Sequence, residues 1–521
     1  MKKLNRLIAL LPAICLLNTG CDKDFGKINT NPYGLTSTNP ALLFTNAQRL
    51  TSPGSWEGDQ TIVQQFVNAY NTGATSGFNL NDDNNTFNIT RWNDNYPGPI
   101  KMLEQVTALT KGDAARTNLA NMTIIWKNYI YMTLVDTYGD VPYTKAGRAY
   151  LEANFYPEYD KDEVIYEGLY TNIKAAIAAL NPAGELVGED LLYGKAGSTA
   201  AQVDKWKRLG NSLLLRIGMR YSKIDQNKAK SIVQEAFNAG VMQSNSDNAL
   251  VTYTSVYVNG INTNPRTLNP YFYYMAEPFI NRLKATHDPR LKYISGKYSD
   301  PNQVLTLTPD TTTANQFGFP VGYDHLTVPN YPGYRGTLGT GQNYSQLNFS
   351  VLGSATAPNF FVSYAQTQLL LAEAAFRGWL TGLNGALTAR QYYEAGVKAN
   401  MNDYERYPNT PVPAVPATMQ DNYLAQTGVA YTDANALELI NTQYWIASIS
   451  NGAEGFANFR RSGYPTLSPN RYNNNLQGGF VRRYPYPNDE SAKNPTNYLN
   501  AVTSMGGKDD LLTRIFWDQN P

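Results

Sequence analysis

Apolar residues recur along this chain at helical spacing in several long segments, separated by polar stretches without a period. Leu119, Met122, Ile125, Tyr129 and Met132 step by three and four, so Ile100 to Val135 is predicted largely helical, with a break at Gly112-Asp113. Gly139 and Pro142 end that helix in Tyr138-Gly139-Asp140-Val141-Pro142-Tyr143. Asp162 to Leu180 carries Ile165, Leu169, Ile173, Ala176 and Leu180 on one face, and Asn181-Pro182 closes it. Val203 to Tyr221 repeats the type with Trp206, Leu209, Leu213 and Ile217, and a shorter helix runs from Ala229 to Ala239. Phe361 to Trp379 aligns Leu369, Ala372, Phe376 and Trp379, while Ala372, Ala374 and Ala375 let a second helix approach closely. Gln391 to Met401, Ala434 to Ile449 and Glu454 to Arg461 follow as helices. Near the start, Ser37, Thr38 or Asn39 can cap a helix at Pro40-Ala41-Leu42-Leu43, and after Pro53-Gly54 the helical pattern resumes over Gln60 to Tyr70. Tyr271 to Leu283 also reads as a helix, which Pro278 can split. Only Val251, Tyr253, Ser255 and Tyr257 alternate as a strand would.

Two stretches lack a period. Residues 71–97 are rich in Asn, Asp and Gly, and residues 293–350 in Gly, Pro, Asn, Thr and Tyr. Irregular segments of such length in a compact protein are usually functional. The stretch from 462 to the end is again loop-rich. The predicted class is therefore mainly α: stacked helix pairs resembling a short α-solenoid, long irregular loops and a few short strands. No repeat is clear enough to assign a period.

The N-terminus differs from all of this. Lys2, Lys3 and Arg6 precede an apolar run from Leu7 to Leu17, too short for a spanning helix of ~20 residues, and then comes Leu17-Asn18-Thr19-Gly20-Cys21. A small residue before Cys at the end of such a run resembles a bacterial lipobox. The resemblance implies a signal peptide over residues 1–20, with Cys21 lipidated on its sulfur, freed at its N-terminus and acylated there. Several acyl chains make a stable anchor where one is marginal. Residues 22–40 then read as an extended tether with Asn31, Pro32, Gly34 and Pro40 as turn signals.

Composition narrows the chemistry. Losing residues 1–20 leaves 40 basic against 42 acidic residues, which argues against a nucleic-acid binder. The only cysteines are Cys15 and Cys21, so the body carries no disulfide, cysteine nucleophile or thiolate metal site. His287 and His325, the only histidines, lack metal-site spacing and read as surface or hydrogen-bonded residues. Tyrosine is abundant, 38 against 19 Phe and 7 Trp, and much of it sits among Asn, Gly and Pro. Tyr joins an apolar ring to a hydroxyl, which suits polar ring-shaped ligands, a wet protein interface, or simply pinning loops.

Seven segments, in order behind the lipobox, resemble the SusD/RagB family of Bacteroidetes outer-membrane lipoproteins. They are Ile28-Asn29-Thr30-Asn31-Pro32-Tyr33 with Leu42-Leu43; Asp136 to Tyr143; Asp190-Leu191-Leu192-Tyr193-Gly194 leading to Trp206 to Leu213; Leu370 to Ala375; Ile440 to Ala447; Glu454 to Pro465; and Arg482-Arg483-Tyr484-Pro485-Tyr486-Pro487. The resemblance implies a SusD-like fold with tetratricopeptide-like helix pairs as its scaffold. It implies a single domain over 41–521, with the scaffold at about 41–240 and 357–461 and ligand-facing excursions at about 71–97 and 249–350. It further implies a non-catalytic, cell-surface nutrient-binding lipoprotein on the outer membrane. Such a protein captures an oligosaccharide, or an oligopeptide, and delivers it to a SusC-like TonB-dependent transporter. Asp22, Lys23 and Asp24 also resemble an export tag for the cell surface.

A sugar site needs aromatic faces for C–H surfaces and Asn, Asp, Gln or Arg for hydroxyls, on loops held by a rigid scaffold, and no cofactor. The first candidate region is Asn81, Asp82, Asp83, Asn84 and Asn85 with Trp92, Asp94 and Tyr96. The second is Phe317, Phe319, Tyr323, Asp324, Tyr331, Tyr334, Arg335 and Tyr344. For each aromatic, pinning its loop competes with ligand contact. The family's stacking residues do not map here one by one, because these loops diverge. The Asp/Asn run at 81–85 could also hold Ca²⁺, though without EF-hand spacing a solvated loop is the favoured reading. Glu454, Arg460 and Arg461 read as structural, and Trp126, Trp206 and Trp445 as core. Two other functions fit the sequence: a surface glycoside hydrolase using paired carboxylates, and a helical scaffold without a small ligand.

Overall fold

The predicted apolar stripes become helices in the computed structural model, which describes residues 38–70, 77–470, 472 and 476–519. The lipobox with Cys21, the tether up to residue 37 and residues 71–76 of the first loop lie outside the described residues. Helix α1, Pro40–Leu50, is capped by Asn39, whose side chain accepts from the Ala41 amide at 3.0 Å. Helices α2, Lys101–Thr110, and α3, Thr117–Tyr138, are separated at the expected Gly112-Asp113 break. Helices α4, Asp162–Ala179, α5, Thr199–Arg220, and α6, Gln226–Ala239, pack in sequence, α3 on α4, α4 on α5 and α5 on α6. Gly210 sets the closest approach: a Cβ there would lie 2.6 Å from the Ile177 side chain.

The second half of the scaffold repeats the pairing. Helix α7 is Glu277–Ala285, α8 is Tyr364–Phe376 and α9 is Ala389–Asp403. Helices α10, Ala436–Ala447, and α11, Gly452–Ser462, complete it. Helix α8 packs on both α9 and α10. Ser363 and Gln366 close a capping box at the start of α8, and Thr388 and Gln391 close another at α9. Trp126, Trp206 and Trp445 lie in the core, as predicted.

Four expectations fail, each where tertiary pairing overrides local pattern. A wide helical turn at Trp56–Gln60 runs on only to Ile62, so Gln60 to Tyr70 is mostly not helical and holds strand β1, Phe66–Asn68. Tyr271 to Leu283 opens in a tight turn, Pro270–Phe272, then forms a strand, Tyr273–Met275, that pairs antiparallel with β1, Phe66 facing Met275; the α-helix starts only at α7, where Pro278 sits in the first turn and removes no needed donor. The helix predicted from Phe361 loses its start to a strand, Asn359–Val362, that pairs with Ala249–Val251. Residues 77–97 are not one loop: Asn85–Asn88 and Thr90–Asn95 are helical because Phe87 and Trp92 are buried. The loop-rich C-terminus likewise contains helix α12, Pro495–Ser504, and returns Tyr484, Tyr486 and Trp517 to the core.

The motif residues meet in that core as an ionic network. Asp136 accepts from Arg220 at 3.1 Å, from the Trp517 indole at 3.0 Å and from the Tyr166 hydroxyl. Glu454 accepts from Arg220 at 2.8 Å and from the Tyr444 hydroxyl at 2.8 Å, with Arg216 at 3.3 Å. Glu373 pairs with Arg461 at 2.7 and 2.9 Å, and Arg461 also donates to Asn441 and Asn458. Arg460 donates to the carbonyls of Asp136 and Arg482. Burial alone would raise the Glu373 carboxyl, but Arg461 and Arg377 outweigh it and hold it at about 2. Asp190 serves the same end locally, accepting from Trp206 at 2.7 Å and Gln48 at 2.8 Å. The structural reading of Glu454, Arg460 and Arg461 therefore holds, with partners on α5, α8 and the Asp136 backbone.

Candidate functional site: an aromatic loop face

A small second core carries the loop face. Val67, Ala69, Tyr274, Ala276, Phe319, Val328 and Tyr344 pack together around the β1 strand pair. Phe319 joins this sheet through its backbone, its amide donating to Met275 at 2.8 Å and its carbonyl accepting from Glu277 at 2.8 Å. That bridge fixes residues 317–344 at one end of the scaffold. The 71–97 stretch reaches this face through Asn79, just before the first candidate region: its side chain donates to the Tyr323 carbonyl at 2.6 Å and accepts from the Gly322 amide at 3.0 Å.

Half-buried rings line this face. Tyr323 and Tyr331 meet edge-on with centroids 5.2 Å apart, and the Tyr331 hydroxyl donates to Glu277 at 2.8 Å. Burial, with the Glu277 carboxylate adding to it, pushes the Tyr331 hydroxyl up to about 12, so it remains a donor at neutral pH. Tyr334 donates to Gln342 at 3.0 Å. Arg335 lies 3.3 Å over the Phe317 ring, with Lys284 at 4.0 Å. Tyr70, Phe272 and His325 form a second ring group, with Tyr70 and Phe272 4.7 Å apart and Phe272 and His325 5.0 Å apart. The His325 Nδ1 faces the Ala69 carbonyl at 3.0 Å, so it is the protonated nitrogen.

Not every candidate residue belongs to this face. Tyr344 is buried in the second core. Asp324 is fully buried and its carboxylate accepts from the Leu326 and Thr327 amides, which makes it a turn residue. Asn81 is buried and holds the carbonyls of Asn470 and Tyr472 at 2.9 and 2.8 Å. Trp92 is mostly buried against Tyr96, Tyr138, Tyr159 and Tyr486, on another side of the 77–97 segment. Asp82 is half-buried, and exposed Asp83 accepts from Asn88 at 2.6 Å. Exposed Asp94 borders a small crevice beside Ser55 and Arg91. The run at 81–85 thus points in several directions, and among the described residues no group of three or more His, Cys, Asp or Glu is placed to hold a metal.

Sequence reading missed Tyr70, Tyr271 and Phe272, which it assigned to helices. The aromatic density of Tyr271-Phe272-Tyr273-Tyr274 was the available signal. Among the described residues no helix is long and apolar enough to cross a membrane.

A sequence model of SusD-like proteins, described as starch-binding and associating with the outer membrane, matches residues 32–487. The chain belongs to the SusD-like family. No curated protein matches it in sequence. Among solved structures, a chitin-binding protein is 28% identical, with a TM-score of 0.76 over 92% of this chain and 100% of that one. A Bacteroidetes SusD-like protein, AC2a, is 23% identical, with a TM-score of 0.77 over 93% and 100% of the two chains. A SusD homolog from Bacteroides ovatus is 20% identical, with a TM-score of 0.70 over 92% and 99%. These likenesses establish the mainly helical SusD-like fold. Family membership supports a nutrient-binding role in association with the outer membrane.

Proposed function

We propose that this SusD-like protein is a non-catalytic cell-surface lipoprotein that captures an oligosaccharide on the aromatic loop face and passes it to a SusC-like TonB-dependent transporter. Cys21 holds it on the outer membrane, residues 22–40 form the tether, and residues 41–521 act as one domain. The observation that carries this reading is the Tyr323–Tyr331 pair, backed by Glu277 and framed by Tyr70, Phe272 and His325, in a chain of this family. Rings of that kind stack on sugar C–H faces, and the hydroxyl, carboxylate and guanidinium groups beside them pair with sugar hydroxyls. The face is loop-borne and held by a strand pair and a second core, so it is pre-organised.

The chitin-binding relative makes N-acetylglucosamine oligomers the first ligand class to test. Isothermal titration of chitohexaose, with maltohexaose and a tripeptide mixture as comparisons, tests the reading. Saccharide binding that Tyr323→Ala/Tyr331→Ala weakens at least tenfold, with the saccharide recovered uncleaved, is expected. Binding of no saccharide, or cleavage of one, overturns it. Cys21→Ser is expected to move the protein from the membrane fraction to the soluble fraction, and the wild type to co-purify with a large outer-membrane barrel.

A further inference from the structure

A concavity built around Trp92 and Tyr96 lies away from the loop face. It has a volume of about 480 Å³, within the ~300–1,000 Å³ typical of small-ligand sites. Its floor is Trp92 and Tyr96, whose rings meet at a tilt with centroids 4.7 Å apart, and its mouth carries Tyr150 and Phe155. Its walls come from three distant parts of the chain: residues 89–101, 142–157 and 487–494. Hydrogen bonds lock these walls together. Tyr96 donates to the Pro142 carbonyl at 2.7 Å, Tyr159 to Glu490 at 2.6 Å, and Asn494 to the Pro157 carbonyl at 2.8 Å. The cavity is thus built into the fold.

Two features define its ligand. First, Tyr150 is 87% and Phe155 67% exposed, so two rings stand in water at the mouth of an aromatic-floored cavity. Exposed apolar area costs roughly 25 cal/mol per Å² relative to cover, which a flat apolar surface entering the cavity would recover. Second, the rim charges cancel: Lys101 and Lys493 face Asp489 and Glu490. An anion would meet two carboxylates and a cation two ammonium groups. Asn93 and Asn154 add neutral donors and acceptors. Apolar ring faces with a balanced, hydroxyl-pairing rim match a neutral sugar.

We propose that this cavity is a second saccharide-binding site, independent of the loop face, in which a neutral sugar ring stacks between the Trp92–Tyr96 floor and the Tyr150 and Phe155 rings. It rests on the reading of the protein as a glycan binder. The Lys493–Asp489 pair, 2.7 Å and exposed, adds little stability of its own, so both groups are free to turn to a ligand.

The test titrates chitohexaose and maltohexaose into the purified full chain, reading stoichiometry by calorimetry and tryptophan emission. Three variants accompany the wild type: Tyr150→Ala/Phe155→Ala, Trp92→Phe and Tyr323→Ala/Tyr331→Ala. The wild type is expected to bind two saccharides per chain. The cavity double variant should bind one, and the ligand-induced emission change should vanish in it and in Trp92→Phe. The loop-face variant should keep the cavity site with its emission change. A cavity double variant that titrates as the wild type overturns the proposal, including the case in which those rings dock a protein instead. A wild type with one site, lost only in the loop-face variant, overturns the second site and leaves glycan binding intact. No saccharide binding in any form overturns both.

Discussion

The ionic core and the loop face use the same kinds of residue to opposite ends. In the core, Asp136 and Glu454 are each held by Arg220 and a tyrosine hydroxyl and Glu373 by Arg461 and Arg377, and Glu373 and Arg461 are each only 1% exposed. On the loop face, Tyr331, Glu277, Tyr334 and Arg335 keep part of their hydrogen-bonding surface toward solvent. The carboxylates Asp136, Glu373 and Glu454 and the arginines Arg460 and Arg461 of the core network come from the motif segments, whereas the loop face comes from residues outside every motif. The motifs therefore mark how the scaffold is held, and the proposed ligand face lies in segments that carry no motif. A buried charge is held by a closed set of partners and tolerates little change, while an exposed ring can be exchanged at small cost to folding.

The largest effect should come from breaking the core. Arg461→Ala leaves the Glu373 carboxylate buried with Arg377 as its only cationic partner, and about 3–5 kcal/mol of stability should be lost in urea unfolding. Saccharide affinity of the remaining folded protein should be unchanged. An equal loss of affinity would mean that core and loop face are coupled.

Two buried carboxylates sharpen the comparison through pH. Glu373 is held low, at about 2, so it contributes stability that is present above its ordinary value near 4.5 and is lost as pH falls toward 2. Among the described residues no arginine is bonded to Asp403. Burial raises its carboxyl to about 7, against the amide donors of Asn245 and Asn248 at 2.6 Å each. The fold then holds a proton that the unfolded chain releases, so stability falls as pH rises from about 4 to 7. Asp403→Asn keeps an acceptor for both amides and should remove this slope. The gain above pH 7 should be up to about 4 kcal/mol, read as melting temperature against pH.

On the loop face, Tyr331→Phe removes only the hydroxyl that Glu277 accepts. Its ligand affinity should drop several-fold, about 1 kcal/mol, with stability changed by less than that. The smallest effect belongs to Asp83→Asn. Asp83 is exposed and accepts from Asn88, so neither saccharide affinity nor melting temperature should move beyond ~0.5 kcal/mol, and added Ca²⁺ should have no effect on either.

Helices α3 to α6 and α8 to α11 were legible because each carries an apolar stripe at helical spacing long enough to outweigh local noise, and their ends carry Gly, Pro or capping residues. The sequence also determined that catalysis by cysteine is absent from the body and that the net charge is near zero. Family membership was readable from the ordered motifs. Tertiary structure alone decided the rest. Strand β1 and its partner at 273–275 exist because each supplies the other's hydrogen bonds, and neither segment of three residues announces itself. Phe87 and Trp92 turned an apparent loop into helices because burial, a property of distant neighbours, outweighed its polar composition. The same reason separates the candidate residues. Asn81, Trp92 and Tyr344 look like Tyr323 and Tyr331 in sequence, yet packing buries the first three and leaves the last two on an open face. Side-chain chemistry is written in the chain, but exposure is set by what folds against it.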